Sequence, residues 1–253
     1  MAQLKRLKYI LEALDRQEFL RVSDLVERLA VSHMTVRRDL AQLEDKGYLI
    51  RTRGGAMKGE AIQSLFSFAR RLQQADDQKQ AIGRAAARFV EDGDILFVDC
   101  GTTPFGLCRH LLGRKGLRVI TTSLPVVAEL LHQPHIRVSL IGGEVVGERQ
   151  AVYGAAAERA LGEYHADKAF IGADGLSLKN GLSSYDEQEA GVTRRMAENA
   201  ERVFLLCDSS KIEHDSYVRF APLSLFHVLV TDERLPRAVR ERYRSRGIEI
   251  ITR

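Results

Sequence analysis

The stretch Val22–Leu43, VSDLVERLAVSHMTVRRDLAQL, constrains this chain more than any other, because it confines two amphipathic helices and a tight break to one short segment. Val22, Leu25, Val26 and Leu29 fall on one face at helical spacing. Ser23 stands where an N-cap belongs, able to bond an otherwise orphaned helix N–H. After Ala30 and Val31 comes a second N-cap candidate, Ser32, and Val31 and Val36 take the N′ and N4 positions of a hydrophobic staple. Val36, Leu40 and Leu43 continue the apolar stripe, which leaves Ser32, His33, Met34, Thr35, Arg37 and Arg38 around the exposed first turns of the second helix. Basic and hydroxyl side chains at that place are how a helix-turn-helix offers its recognition helix to the major groove.

The flanks extend the pattern. Leu7, Ile10, Leu11 and Leu14 define an amphipathic helix ahead of the pair. Beyond Lys46-Gly47, a helix stop, Tyr48 to Gly55 reads as a short basic strand closing on Gly54-Gly55. Side chains alternate along a strand, so Arg51 and Arg53 are expected on one side, within reach of phosphate or a minor groove. Three helices and a basic wing in this order describe a small winged helix-turn-helix domain, with double-stranded DNA as the expected partner.

Charge distribution agrees. Residues 1–60 carry 12 Lys/Arg against 9 Asp/Glu and the remainder 26 against 25, so most of the net +4 sits with the DNA reader. So small an excess points to several reading heads per assembly, hence a homo-oligomer, dimer or tetramer. No apolar run approaches the ~20 residues of a membrane span. MAQLKRLKYI lacks the apolar core of a signal peptide, so a cytoplasmic location is expected. Cys100, Cys108 and Cys207 are odd in number and scattered, as suits reduced thiols. Cys108 with His110 is poor spacing for zinc, and neither a metal nor a cofactor is expected.

The rest of the 253 residues has another rhythm. Residues 1–57 form the reading domain, 58–75 read as a connector, and 76–253 begin with an N-cap at Asp76 and a helix face of Ile82, Ala85, Ala86 and Phe89. Strands are predicted at Ile95–Val98, Leu117–Thr121, Ile136–Ile141, Lys168–Ile171, Val203–Leu206, Val228–Val230 and Ile248–Ile251. Helices are predicted at Pro104–Leu112, Pro125–His132, Ala155–Leu161, Glu187–Ala200 and Pro236–Arg246. Strands alternating with helices imply an α/β domain with a mostly parallel sheet covered on both faces. Ligands of such sheets bind outside the carboxyl ends of the strands. Small polar residues collect at those ends: Asp99-Cys100-Gly101-Thr102-Thr103-Pro104, Thr121-Thr122-Ser123, Gly142-Gly143, Gly172-Ala173-Asp174-Gly175 and Asp208-Ser209-Ser210-Lys211. Pro104 suits the first position of a helix, which would make Gly101–Thr103 an anion cradle just before it.

These motifs resemble the DeoR-type bacterial transcriptional repressors. Arg6, Ile10, Leu14, Ser32, Thr35, Val36, Arg37, Arg38, Asp39 and Leu40 match that family's amino-terminal signature, and Arg51, Gly54, Gly55 and Ala56 its wing. Arg71 and Lys79 fall where the family has an Arg and a Lys between its domains. In the second half Asp99, Gly101, Thr102 and Thr103, then Thr121 to Ser123, Gly142-Gly143, Asp167 to Gly172, and Asp208, Ser210 and Lys211 match in turn. The resemblance implies a sensor domain similar in fold to ribose-5-phosphate isomerase that binds a phosphorylated sugar or related metabolite. Departures stand at Thr122, where Asn is common, and at Gly191 and Thr193, where many members carry Glu and Lys. Arg194 is a neighbouring cation but projects about 100° further round the helix.

The reading that follows is a repressor of a carbohydrate-utilisation operon, tuned by a phosphorylated effector. Ser32, His33, Met34, Thr35, Arg37 and Arg38 would meet DNA, with Arg51, Arg53, Gly54 and Gly55 in the wing, while Asp39 orients a neighbouring arginine. Gly101, Thr102 and Thr103 would hold the effector's phosphate, Asp99 and Asp174 its hydroxyls, and Lys211 an anionic or carbonyl group, with Thr122, Ser123, Gly142, Gly143 and Gly172 completing the pocket. A sugar-phosphate isomerase carrying a DNA-binding head is the alternative, with Asp99, Asp174, Glu187 and Lys211 as candidate base and electrophile. No strand is followed by the Gly-x-Gly-x-x-Gly of a dinucleotide site.

Overall fold

A computed structural model describes residues 3–17, 19–45, 48–58, 68 and 71–252. Lys46-Gly47 and most of the expected connector lie outside the described residues. The chain divides into two units, Met1–Arg70 and Arg71–Arg253.

In the first unit, helix α1 (Gln3–Arg16), strand β1 (Phe19–Arg21), helices α2 (Val22–Leu29) and α3 (His33–Asp45), and strands β2 (Leu49–Thr52) and β3 (Gly55–Lys58) follow in order. The strands form an antiparallel sheet in the order β1-β3-β2. Ile10 and Leu14 of α1, Leu25 and Leu29 of α2, and Val36, Leu40 and Leu43 of α3 converge on one core with Leu20 and Leu49. Strands β1 and β3 are not among the segments that read as strand from sequence. Ser23 is not a cap: α2 starts one residue earlier, at Val22, and the Ser23 hydroxyl instead meets Asp24 at 3.0 Å. Val26 is half-buried rather than buried, and Ala30 ends α2 in the left-handed conformation at φ 52°. Ser32 does cap α3, its Oγ accepting the Thr35 N–H at 3.2 Å.

The second unit opens with α4 (Asp76–Ala87) and holds seven parallel strands in the order β15-β14-β12-β9-β4-β5-β6. These are β4 (Ile95–Val98), β5 (Leu117–Thr121), β6 (Ile136–Leu140), β9 (Ala166–Ile171), β12 (Ala200–Leu206), β14 (Val228–Val230) and β15 (Glu249–Ile251). Between them lie α5 (Thr102–Cys108), α6 (Leu124–Leu130), α7 (Ala155–Leu161), α8 (Glu187–Glu198) and α9 (Arg237–Arg244). All seven strands and all five helices fall on predicted segments. The shorter strands do not. They are the pair β7 (Glu144–Val146) and β8 (Ala151–Tyr153), and the antiparallel set β10 (Gly175–Ser177), β11 (Gly181–Ser184) and β13 (Val218–Ala221). Ala200, expected at a helix end, begins β12 instead.

Both faces of the large sheet are covered, so its strands read as continuous apolar runs. Phe97, Ala169, Ile171, Val203 and Leu205 join Val192 and Met196 of α8 in one core. On the alternate positions Phe170 stacks on Phe204 at 4.9 Å between centroids, with Phe89 also 4.9 Å from Phe204. Helices α4 and α5 cross backbone to backbone, since a Cβ on Gly83 would lie 2.3 Å from the Gly106 carbonyl oxygen. The chain leaves β4 toward β5 and β6, then returns to the other side of β4 for β9, β12, β14 and β15. The order therefore reverses between β4 and β9, and a crevice opens outside the carboxyl ends of a sheet at such a reversal.

Candidate functional site

On the first unit the start of α3 is open. Met34 is 64% exposed, His33, Arg37 and Arg38 are exposed, and Thr35 is half-buried with its hydroxyl 2.9 Å from that of Ser32. Asp39 faces inward, 1% exposed, and its carboxylate takes a two-point contact from Arg6 of α1, at 2.7 Å to Nε and 3.1 Å to Nη2. The arginine it orients is thus Arg6, not one on its own helix, and the contact fixes α1 against α3.

The wing departs from expectation. Strand β2 ends at Thr52, so Arg53 lies in the turn and does not share a strand face with Arg51. Arg51 is tied to the carboxylate of Glu44 through its guanidinium and, at 2.9 Å, through its backbone N–H. The Arg51 amide and then its guanidinium hold the Glu44 carboxyl below its ordinary range. Arg53 is exposed and has no ion pair among the described residues. Gly54 and Gly55 have structural reasons of their own. Gly54 turns the chain at φ 97°, and a Cβ on Gly55 would lie 2.3 Å from the Leu20 carbonyl oxygen.

On the second unit a cavity of about 210 Å³ opens where β4 and β9 part company. Asp99, Gly101, Thr102, Thr103, Gly172, Asp174 and Lys211 line it, as do Arg71, Lys79, Arg149, Glu189, Asp208 and Ser210. Helix α5 begins at Thr102, with Gly101 as its N-cap, so Thr102 and Thr103 form the first turn rather than a preceding loop, and Pro104 sits at its third position. Asp76 likewise opens α4 instead of capping it; Ala75, at φ 56°, holds the cap position. Thr122, Ser123, Gly142 and Gly143 are not among the cavity's lining residues. Thr122 and Ser123 are fully buried, and Ser123 caps α6 by accepting the Val126 N–H at 3.4 Å. Thr122 Oγ1 is buried without a hydrogen-bond partner. Gly142 and Gly143 are exposed at the far side of β6, where a Cβ on Gly143 would lie 2.7 Å from the Tyr153 carbonyl oxygen.

Most of the cavity's carboxylates already have structural work. Asp99 Oδ2 accepts the Gly172 N–H at 2.9 Å, and Oδ1 accepts the Cys100 N–H at 2.8 Å and the Thr193 hydroxyl at 3.3 Å. It ties the end of β4 to the end of β9; burial nevertheless raises its pKa, against those donors. Asp208 accepts the Ser210 N–H at 3.1 Å and the Ser210 hydroxyl. Asp174 accepts the Tyr185 N–H at 3.0 Å and stands 3.7 Å from Lys211 Nζ and 3.6 Å from Arg149 Nη2. Burial pushes its pKa upward, but Lys211, the Tyr185 amide and Arg149 together hold it low.

Its cations are confined. Lys79 is 4% exposed and donates to the Arg71 carbonyl, while Lys211 Nζ donates to the Ala173 carbonyl at 3.1 Å. Burial, and then the charge of Lys211, push the Lys79 ammonium down to about 8. Two neighbouring ammonium groups, that of Lys79 buried, favour an anion between them.

The two units match the two halves of one family. Residues 6–60 match the DeoR-like helix-turn-helix domain and residues 74–233 the DeoR C terminal sensor domain. The chain belongs to the DeoR family of transcriptional regulators. It is 34% identical over 251 residues to the HTH-type transcriptional repressor GlcR of Bacillus subtilis, covering 99% of this chain and 96% of that protein. It is 29% identical over 239 residues to the glycerol-3-phosphate regulon repressor of Escherichia coli, covering 94% of each. Among solved structures it is similar to ribose 5-phosphate isomerase A from Methanocaldococcus jannaschii, with 21% identity over 55% of each chain and a TM-score of 0.41.

Against the DeoR pattern, the α8 departures have physical consequences. Thr193 is buried beneath Asp99 and contributes a hydroxyl. At Gly191 a Cβ would lie 2.7 Å from the Glu158 carboxylate, so a side chain there requires that flexible carboxylate to move. Arg194 does not supply the missing charge; it is exposed and faces Glu198 at 3.8 Å. The cation that reaches Glu189 is Arg149, from the β7–β8 turn, with Nη2 at 3.1 Å from Oε2. Sequence reasoning had no signal for Arg149, because nothing local places a turn residue of an undetected hairpin at a strand end of another sheet. Arg71 and Lys79 carried a signal in the family resemblance alone.

Burial pushes the Glu189 carboxyl up to about 7 from an ordinary 4.5, against the pull of Arg149. Between those values the folded protein binds the proton more tightly than the unfolded chain, so this group's contribution to stability falls as pH rises from 4.5 to 7. Glu189→Gln is expected to flatten that part of a Tm-against-pH profile. Melts of both proteins at pH 5 and pH 8 check it; parallel profiles would assign the decline to other groups.

Proposed function

We propose that this DeoR-family protein is a repressor of a carbohydrate-utilisation operon whose grip on DNA is set by a phosphorylated sugar bound in the sensor cavity. The observation that carries the reading is the cavity at the β4/β9 reversal, where Lys79 and Lys211 stand beside the polar start of α5. Phosphate needs cations and hydrogen-bond donors held out of bulk water, and those groups offer both. Thr102 and Thr103 add hydroxyls, and Asp174 can accept from a sugar hydroxyl.

Residues 1–57 form the DNA-binding domain in this reading, 58–75 the connector and 76–253 the sensor. Thr35 and Met34 read base edges, while Arg37 and Arg38 divide between phosphate and guanine, aided by Arg53 from the wing. Arg51 serves chiefly to brace the wing on α3 through Glu44. The protein works as a cytoplasmic homo-oligomer on repeated half-sites, since a single weakly basic head gains little from phosphate neutralisation. No helix among the described residues is long and apolar enough to cross a membrane. The effector must bind DNA-competent and incompetent arrangements unequally, or it switches nothing.

The test is to select operator fragments from genomic DNA with the purified protein, then titrate phosphorylated sugars into the complex. Release or tightening by a phosphorylated sugar, and not by its dephosphorylated form, with no turnover of that sugar, is the expected result. Turnover would make the sensor unit an enzyme, and indifference to every phosphorylated sugar would overturn the reading.

A further inference from the structure

The cavity's charges are arranged for two anions, not one. Asp174 separates them: its Oδ1 stands 3.7 Å from Lys211, whose neighbour is Lys79, and its Oδ2 stands 3.6 Å from Arg149. Arg71 also lines the cavity. Burial and then the charge of Arg149 lower its pKa.

Arg149 keeps capacity to bind. Its ion pairs with Asp174 and Glu189 are closest at Nη2, and among the described residues its guanidinium donates no hydrogen bond. Glu189 Oε2, 3.1 Å from Nη2, is out of hydrogen-bond alignment and remains a buried acceptor with no donor. A planar fork beside a lone acceptor fits a group that is anionic and planar and carries a hydroxyl next to it. An α-hydroxycarboxylate has that form. The lysine end, with two point charges beside Thr102 and Thr103, suits a phosphate instead.

We propose that the effector is a phosphorylated sugar acid, its phosphate at the Lys79–Lys211 end and its α-hydroxycarboxylate held by Arg149 and Glu189, which makes Arg149 the residue that sets specificity. The proposal rests on the sugar-phosphate reading above and adds the chemistry of the ligand's other end. An alditol phosphate would leave Arg149 without its carboxylate. A carboxylate arriving beside Glu189 is accommodated because that buried carboxyl readily takes a proton near neutral pH.

Calorimetry on the full chain tests this with two ligand pairs that differ only in a terminal carboxylate or alcohol. One pair is 6-phosphogluconate and glucitol 6-phosphate; the other is 4-phosphoerythronate and erythritol 4-phosphate. In at least one pair the acid is expected to bind 10-fold or more tighter, Arg149→Met to erase the preference, and Arg149→Lys to retain part of it. Equal affinity within both pairs, or tighter binding of the alcohols, overturns the proposal and leaves the sugar-phosphate reading standing. A preference that survives in a folded Arg149→Met protein removes Arg149 from the role. If none of the four ligands binds, this proposal falls, and the sugar-phosphate reading is decided by its own operator titration.

Discussion

Replacing Arg37 and Arg38 together with alanine is expected to weaken operator binding by more than about 100-fold, because a lost bidentate base contact alone costs about 1–3 kcal/mol and each lost phosphate contact adds to it. The same change is expected to leave Tm nearly unmoved. Both side chains are exposed on the first turns of α3, while its inward face is held by Val36, Leu40, Leu43 and the Arg6–Asp39 contact. Fluorescence anisotropy on a selected operator, over a range of salt, separates the two kinds of contact. An arginine on phosphate lowers the slope of log K against log salt by about one per reading head, whereas an arginine on guanine changes sequence preference. If the double variant binds as wild type, α3 is not the reading helix. If it melts far lower, these arginines have a structural role that their exposure does not reveal.

Replacing Thr102 with glutamate is expected to abolish the effector response while preserving DNA binding. Thr102 opens α5 on the cavity wall, so a carboxylate there would confront an incoming phosphate across a few ångströms. At an effective dielectric near 20, like charges about 4 Å apart repel by about 4 kcal/mol, enough for a loss of about 1,000-fold. The start of a helix tolerates a carboxylate, so the substitution is not expected to unfold the unit. Thr102→Ser, which keeps the hydroxyl, is expected to respond almost normally. Operator binding titrated with the active sugar phosphate checks both variants. A normal response from Thr102→Glu would place the phosphate elsewhere.

Much of this protein was legible in its residues because the relevant signals are local. Helical spacing of Val36, Leu40 and Leu43, with Ser32 as a cap, fixes which side of α3 can be buried and so which residues it shows. Alternation of apolar strands with helices fixes an α/β layer, and the polar ends of those strands mark the edge where Asp99, Gly101, Gly172, Asp174 and Lys211 gather. Thr122, Ser123, Gly142 and Gly143 share the same chemistry and strand-end position, yet they fall away from the cavity. Sequence cannot show that β5 and β6 lie on the far side of β4 from the reversal point.

The local pattern of this chain, by itself, determined two kinds of unit and the faces that each must bury, because side-chain periodicity and capping act within a few residues. Only tertiary structure decided that Arg6 rather than an α3 arginine answers Asp39, that Glu44 occupies Arg51, and that Arg149 reaches across from the β7–β8 turn to face Glu189. The first and last of those pairings join residues far apart in the chain, and the Glu44–Arg51 pair spans the end of α3 and the start of the wing. They exist because strand order and helix packing bring those charged groups together; for the buried Asp39 and Glu189 an unpaired charge would also be costly.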